Sequence, residues 1–432
     1  MTAAQGPTLY RAPYVVPVAS PLIADGGVLV DNGLIVAVDR YRRLRPEAAR
    51  VVELEGRIIT PALINCHCHL ELSYLAGLGQ DGAAPSGGDM TAWIRLLLAT
   101  RAAAGDQTTI RQAAEAALAT QHWRGVALMA DIGNQLSSLA FSGGNKTEVL
   151  FFQELLGATA QTAQAALASL PPAGERQSGK GSEGSRATEL SYTVHAPYSC
   201  HPLLITAVKE RSRRLGGLLP IHVAESADEI EFLQDGSGRF RDFLAERLTM
   251  AGVLAPGQEL TELVSIPGCG GIEYLHILGV LDQRTICVHN VHISAREADL
   301  LATAQAKVCL CPGSNRRLGV GKAPVPLLLE RAILPGLGTD SLASNDSLDL
   351  WQEMMVLQSD HERVNPEQIF AMATRGGAET LAVAHRLGTI APGREAKLLA
   401  VAFDGAATEI YPFLVNGGEA ITVEWLEADH DE

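Results

Sequence analysis

The chain has 432 residues, 47% of them hydrophobic, which is enough for one large domain with an appendage or for two to three ordinary ones. Its formal net charge of −15 argues against nucleic-acid or acidic-membrane partners, which require a basic face. No apolar stretch is long enough to suggest a membrane span, and the N-terminus MTAAQGPTLYRAPYVV lacks a basic region ahead of a long apolar run.

Residues 1–58 alternate Val, Ile and Leu with polar residues and glycine, as in GGVLVDNGLIVAVDR, a period-2 pattern of short strands. The basic cluster RYRRLR, Arg40 to Arg45, reads as a solvated edge rather than a phosphate site, given the acidic whole. From residue 57 short apolar runs alternate with Ala- and Leu-rich amphipathic stretches. Eight such runs follow: RIITPALIN, GVALMADIGN, TEVLFFQELLG, ELSYTVHAPYS, LLPIHVAES, RTICVHNVHIS, KVCLCPGSN and AILPGLGTDS. Eight βα units predict an α/β fold, a (β/α)8 TIM barrel over residues 59–388, with its active site at the C-terminal strand ends. Pro171 to Thr188, PPAGERQSGKGSEGSRAT, reads as a mobile surface insertion. Residues 389–432 return to short strands and are expected to complete one small β-sandwich with residues 1–58. The final EADHDE reads as frayed, which removes His430 from the ligand candidates. Seven cysteines, an odd number with several inside apolar runs, suit a reducing cytoplasm better than a disulfide framework.

Seven of the eight runs end in residues capable of chemistry: His67/His69, Asp131, Glu154, His195, His222/Glu225, His289 and Asp340. The seventh run ends in Ser314 and Asn315. His67 and His69 share one face of an extended segment, because alternate residues point the same way. A pair of core histidines is the bland alternative, but two unpaired buried imidazoles are costly. With His222 and Asp340 added, three imidazoles and a carboxylate suit a divalent transition metal such as zinc. Cys66 and Cys68 alternate with the histidines and should point away from it. His122, His201, His276, His292, His361 and His385 lie on helices or past the strand ends and read as non-ligands. The H-x-E and P-C-x-x-C signature of the His/Cys zinc deaminases is absent.

HxH on the first run, His on the fifth and sixth and Asp on the eighth resemble the amidohydrolase superfamily. HVAES with Glu225 resembles its metal-dependent deaminase branch. The resemblance covers nearly the whole chain, including GTIAPGREAKLLAV, where Lys397-Leu398 replace the acidic residue and Leu-Val of many relatives. It implies one divalent metal, Zn2+ ahead of Fe2+, held by His67, His69, His222 and Asp340. Glu225 would move protons, His289 would hold the water or polarise developing charge, and Asp340 would also bond the attacking water. His195 would contact substrate, or else support the site from behind.

HCHLELS with Glu71, TAWIRLLL with Trp93, SNRRLG and GTDSLASNDSLDLWQEM resemble bacterial aminodeoxyfutalosine deaminases of menaquinone biosynthesis. Methylthioadenosine/adenosylhomocysteine deaminases, guanine deaminases, chlorohydrolases and a metal-binding barrel without chemistry are the alternatives. An aminodeoxyfutalosine substrate carries an aryl carboxylate. Arg316 or Arg317 could meet it with a bidentate contact, although a pair of solvated rim arginines reads at least as well. Glu154 would contact ribose hydroxyls or merely close the barrel end, and Asp131 and Asn134 read as structural. The expected partner is a small adenine nucleoside, with no nucleic acid, no membrane and a homodimer left open.

Overall fold

A computed structural model of the chain describes residues 6–79, 88–103, 106–134, 138, 146–171 and 190–426. The insertion expected up to Thr188, from residue 172 onward, and the C-terminal tail from residue 427 lie outside the described residues.

The chain opens with β1 (Thr8–Val15), β2 (Ile23–Asp31), β3 (Leu34–Arg40), β4 (Arg50–Glu53) and β5 (Arg57–Pro61). β1, β2 and β3 are antiparallel neighbours, while β4 and β5 both run parallel to β1. The barrel strands follow: β6 (Leu63–Cys68), β7 (Val126–Gly133), β8 (Glu148–Leu155), β9 (Leu190–Val194), β10 (Leu219–Val223), β11 (Thr285–His289), β12 (Lys307–Leu310) and β13 (Gly336–Leu337). β14 (Leu398–Ala402) and β15 (Val423–Leu426) then return to the first sheet, with β14 antiparallel to β5. Both chain ends therefore pool their strands, as expected, and they do so in one continuous seven-stranded sheet. Its period-2 faces bury separately. Ile59, Leu398 and Ala400 pack with Val28 and Val30 on one side, while Ile58, Leu399 and Val401 join the barrel core on the other.

The run RIITPALIN thus divides. Arg57–Pro61 belongs to the sheet, and the barrel strand starts only at Leu63. Because β5 is buried on both faces, its composition matches that of a barrel strand and gives no sign of the break.

β6 to β9 form one four-stranded parallel sheet and β10 to β13 another. Backbone bonds join them at both seams. His222 N donates to His195 O (3.0 Å), and Thr339 N and Asp340 N both donate to His67 O (2.9 and 3.0 Å), beside a parallel bridge between Cys68 and Asp340. This is the (β/α)8 arrangement. Its interior is filled by Ile64, Cys66, Leu128, Ala130, Ile286, Val288 and Cys309. Outside, each helix presents one apolar stripe. Gln107–Trp123 buries Ile110, Ala114, Ala117 and Leu118 at helical spacing, and Asp106 caps it by accepting from Thr109 N at 2.8 Å.

Three helices cover the C-terminal mouth: Met90–Ala103 after β6, and Ala227–Asp235 and Gly238–Met250 after β10. Their apolar faces form a satellite core around Phe232, Phe240, Phe243 and Leu244, against which Trp93, Ile94 and Leu98 pack. All seven cysteines are free. Among the described residues no helix is long and apolar enough to cross a membrane.

Candidate active site

The histidines of β6 sit beside a flaw in the strand. β6 slips register against β7 between Asn65 and Cys68. Cys66 packs inside the barrel with Ile64, whereas Cys68 packs in the outer core, so strict alternation fails locally. Both His67 and His69 nevertheless reach the mouth. Gly338 lets β13 pass close to them, since a Cβ there would lie 2.7 Å from His67 Cβ.

Four potential ligand atoms converge. His222 Nε2 lies 3.2 Å from His67 Nε2 and 3.4 Å from His69 Nε2, and Asp340 Oδ1 lies 3.7 and 3.6 Å from the same two nitrogens. His69 Nδ1 faces Ile132 O (3.0 Å) and His222 Nδ1 faces His195 O (2.9 Å). A carbonyl only accepts, so each Nδ1 carries the hydrogen and each Nε2 turns a lone pair inward. Asp340 Oδ2 is occupied by the hydroxyls of Ser314 (2.6 Å) and Ser344 (2.8 Å), leaving Oδ1 for the cluster. Burial, then the charge of His67, pushes the His69 imidazole down to about 3, and burial holds His222 well below its usual value. Burial alone would raise the Asp340 carboxyl. The imidazoles around it, His67 foremost, outweigh that and hold it well below the usual range. Lone pairs pointed at one another repel, and a divalent cation between them removes the conflict. The three imidazole nitrogens lie within ligand distance of one another, Asp340 Oδ1 adjoins two of them, and nitrogen and oxygen donors of these kinds fit such an ion.

The second half of the site is aimed by strained backbone. Ala224 (φ 54°), His289 (φ 74°), Asn290 (φ 53°) and Asp340 (φ 57°) all adopt left-handed conformations just past or at their strand ends. Ser226 caps the helix Ala227–Asp235 by accepting from Glu229 N. The Glu229 carboxylate then turns back to accept from Ala224 N (2.9 Å) and Glu225 N (2.8 Å), which fixes the turn that presents Glu225. Glu225 Oε1 lies 3.6 Å from His289 Nε2, while His289 Nδ1 lies 3.1 Å from Asn315 Oδ1. Burial raises the Glu225 carboxyl, partly opposed by His289. Glu225, His289 and Asp340 form one tight group of potential ligand atoms.

The cluster opens into a cavity of 460 Å³. Its polar end carries His69, His195, His222, Glu225, His289 and Asp340. Met90, Trp93, Leu97, Phe243, Leu244 and Leu248 supply an apolar wall. His195 lines the cavity with its Nδ1 on Ser199 Oγ at 2.7 Å. Glu71 and Glu154 line it too, tied into one chain of polar contacts. Arg101 Nη2 reaches Glu71 Oε1 and Asn134 Oδ1, each at 3.1 Å, and Asn134 Nδ2 reaches Glu154 Oε2 at 3.3 Å. Burial, then the charge of Glu71, pushes the Glu154 carboxyl up to about 8. Asp131 accepts from Leu70 N, a structural role as expected, whereas Asn134 borders the cavity.

Arg316 and Arg317 do not border it. Both lie on the short helix Pro312–Leu318. Arg316 turns outward to Asp360 (2.8 Å), and Arg317 bonds Asp346 and Leu78 O. The expectation that either meets a substrate carboxylate is therefore corrected. The helix's first turn directs Ser314 and Asn315 at the site and carries the next two residues past it. The arginines that do line the cavity, Arg101 and Arg247, lie on the roof helices, and nothing in their local sequence marked them.

A parallel barrel with imidazoles and carboxylates gathered at its C-terminal mouth has the form of a barrel enzyme whose polar cluster could hold a divalent ion. Residues 58–423 match the amidohydrolase family, and the chain belongs to that family of hydrolases acting on C–N bonds. It is 25% identical over 403 residues to a 5-methylthioadenosine/S-adenosylhomocysteine deaminase of Teredinibacter turnerae, covering 88% of this chain and 81% of that protein. Among solved structures it is similar to the aminofutalosine deaminase of Helicobacter pylori bound to methylthio-coformycin (TM-score 0.78, 23% identity, 94% of this chain and 96% of that one). It is also similar to an adenosine deaminase of Xanthomonas campestris with bound zinc (TM-score 0.72, 22% identity, 94% and 88%).

Proposed function

We propose that this chain hydrolytically deaminates the adenine ring of a nucleoside, with 6-amino-6-deoxyfutalosine as the substrate: water and the C6 amine exchange, giving futalosine and ammonia. The observation that carries the reading is the Glu225 carboxylate, buried in the same cavity as the inward-facing Nε2 atoms and beside His289. His67, His69, His222 and Asp340 would hold one divalent cation, zinc ahead of iron(II). Such an ion lowers the pKa of a water from about 15.7 towards about 7, which supplies hydroxide at neutral pH.

The protein's own residues do the rest. Glu225 takes one proton of the attacking water and passes it to a ring nitrogen, then takes the second from the new C6 hydroxyl and gives it to the amine, which leaves as ammonia. Burial raises its carboxyl above the usual range, the direction that favours a group that must donate a proton as well as accept one. His289, braced by Asn315, faces the charge that develops at C6. Asp340 Oδ1 accepts a hydrogen bond from the attacking water. The apolar wall of Trp93, Leu97 and Phe243 excludes bulk water from the purine, and Glu154 and His195 offer polar contacts to the sugar.

The second reading, methylthioadenosine or adenosylhomocysteine as substrate, is favoured by the name of the Teredinibacter relative. Ammonia release measured side by side separates the two. The reading expects the highest kcat/KM on aminodeoxyfutalosine. A better rate on methylthioadenosine or adenosylhomocysteine rejects that substrate while keeping the chemistry, and preference for guanine or a triazine rejects the nucleoside as well.

A further inference from the structure

Two arginines line the cavity wall, and they are not equivalent. Arg101 is neutralised by Glu71 and is only 16% exposed. Arg247 has no carboxylate partner among the described residues. Helical spacing gives it none, because the positions three and four away are Leu244, Met250, Phe243 and Ala251. Its neighbour Glu246 is taken from across the roof: Arg95 Nε bonds Glu246 Oε2 at 2.9 Å, with the Arg95 guanidinium 5.3 Å above the Phe243 ring. Arg247 is thus an exposed cation at the solvent side of the cavity wall, beside the buried Phe243, Leu244 and Leu248, in a chain whose net charge is −15.

We propose that Arg247 is a specificity-determining residue whose guanidinium receives a carboxylate carried by the substrate on the arm remote from the purine. The cavity would then select anion-bearing adenine nucleosides over neutral ones. The inference rests on the deaminase reading above and names what that reading leaves open, the residue that meets the substrate's distal carboxylate. A guanidinium presents paired N–H donors that match a carboxylate in a bidentate contact, which fixes orientation as well as charge at the mouth of the cavity. The apolar side chains beside Arg247 suit an uncharged linker between purine and anion.

The test uses metal-loaded wild type, Arg247→Ala, Arg247→Lys and Arg247→Glu. Ammonia release is followed with aminodeoxyfutalosine and adenosylhomocysteine, which carry a carboxylate, and with methylthioadenosine, which does not. The ratio of kcat/KM for aminodeoxyfutalosine, the net anion, over methylthioadenosine falls about ten- to hundredfold in Arg247→Ala, as loss of a charge-assisted bond implies; the ratio for the zwitterionic adenosylhomocysteine falls less. The first ratio recovers in part in Arg247→Lys and falls furthest in Arg247→Glu. A ratio unmoved by all three variants, whether both activities drop together or neither does, overturns the inference. A wild type that handles methylthioadenosine as well as the carboxylate-bearing nucleosides overturns this inference alone. One that deaminates no adenine nucleoside overturns the proposed function and this inference with it.

Discussion

Asp340 is the carboxylate of the proposed cation site, and its outer oxygen is held by two buried hydroxyls, Ser314 at 2.6 Å and Ser344 at 2.8 Å. Replacing Ser314 by Ala removes the shorter of these bonds without opening the site to solvent, since Ser314 is fully buried. A hydrogen bond to a charged group contributes about 1.5–3 kcal/mol. Ser344 keeps Oδ2 partly satisfied, so the lower end applies, and about 1.4 kcal/mol is tenfold in affinity. Ser314→Ala should therefore weaken metal retention about tenfold, and the double variant Ser314→Ala/Ser344→Ala towards hundredfold, the range typical of partners that orient a metal ligand. Competition against a chelator of known affinity measures this, with circular dichroism to verify the fold. A double variant that holds metal as tightly as wild type would show that the orientation of Asp340 does not govern the site, and Asp340 would lose its place as a ligand.

Glu225→Gln should keep its metal and lose roughly 10²–10⁴-fold in turnover, because an amide cannot shuttle a proton; a near-wild-type rate would move the proton to another group, His289 first. Arg316→Ala and Arg317→Ala should shift kcat/KM for any nucleoside by less than about threefold, since Arg316 is engaged by Asp360 and Arg317 by Asp346 and Leu78 O, away from the cavity lining; a selective loss on carboxylate-bearing substrates would restore the discarded assignment. Gly338→Ala, whose new Cβ would meet His67 Cβ at 2.7 Å and Cys309 Sγ at 2.9 Å, should cost about 1–3 kcal/mol in thermal unfolding, and an unchanged Tm would mean that β13 can shift freely.

Much of the site was legible because strand ends are where chain order and space coincide. His67, His69, His222, His289 and Asp340 each close an apolar run, and the barrel rule turns that position into proximity. The bulge in β6 was not legible, since it depends on register against β7 rather than on the residues of β6 itself. Neither was the division of RIITPALIN, because β5 is buried on both faces like the barrel strand that follows it. Arg316 and Arg317 were misplaced because one turn of the helix Pro312–Leu318 separates what faces the site from what faces away, and a segment of seven residues shows too little periodicity to choose. Arg247 and Glu229 sit on helices whose placement over the mouth is tertiary. The helix Gly238–Met250 reads as an ordinary amphipathic helix until the helix Met90–Ala103 is seen opposite it.

Ammonia released from 6-amino-6-deoxyfutalosine by one preparation, assayed as purified, after metal removal and after restoring one equivalent of zinc, bears most directly on whether this cluster is a deaminase centre. The expected result is turnover that is lost on stripping and regained with that single equivalent. Turnover that survives complete stripping, or its absence from every adenine nucleoside when the metal is fully bound, would contradict it.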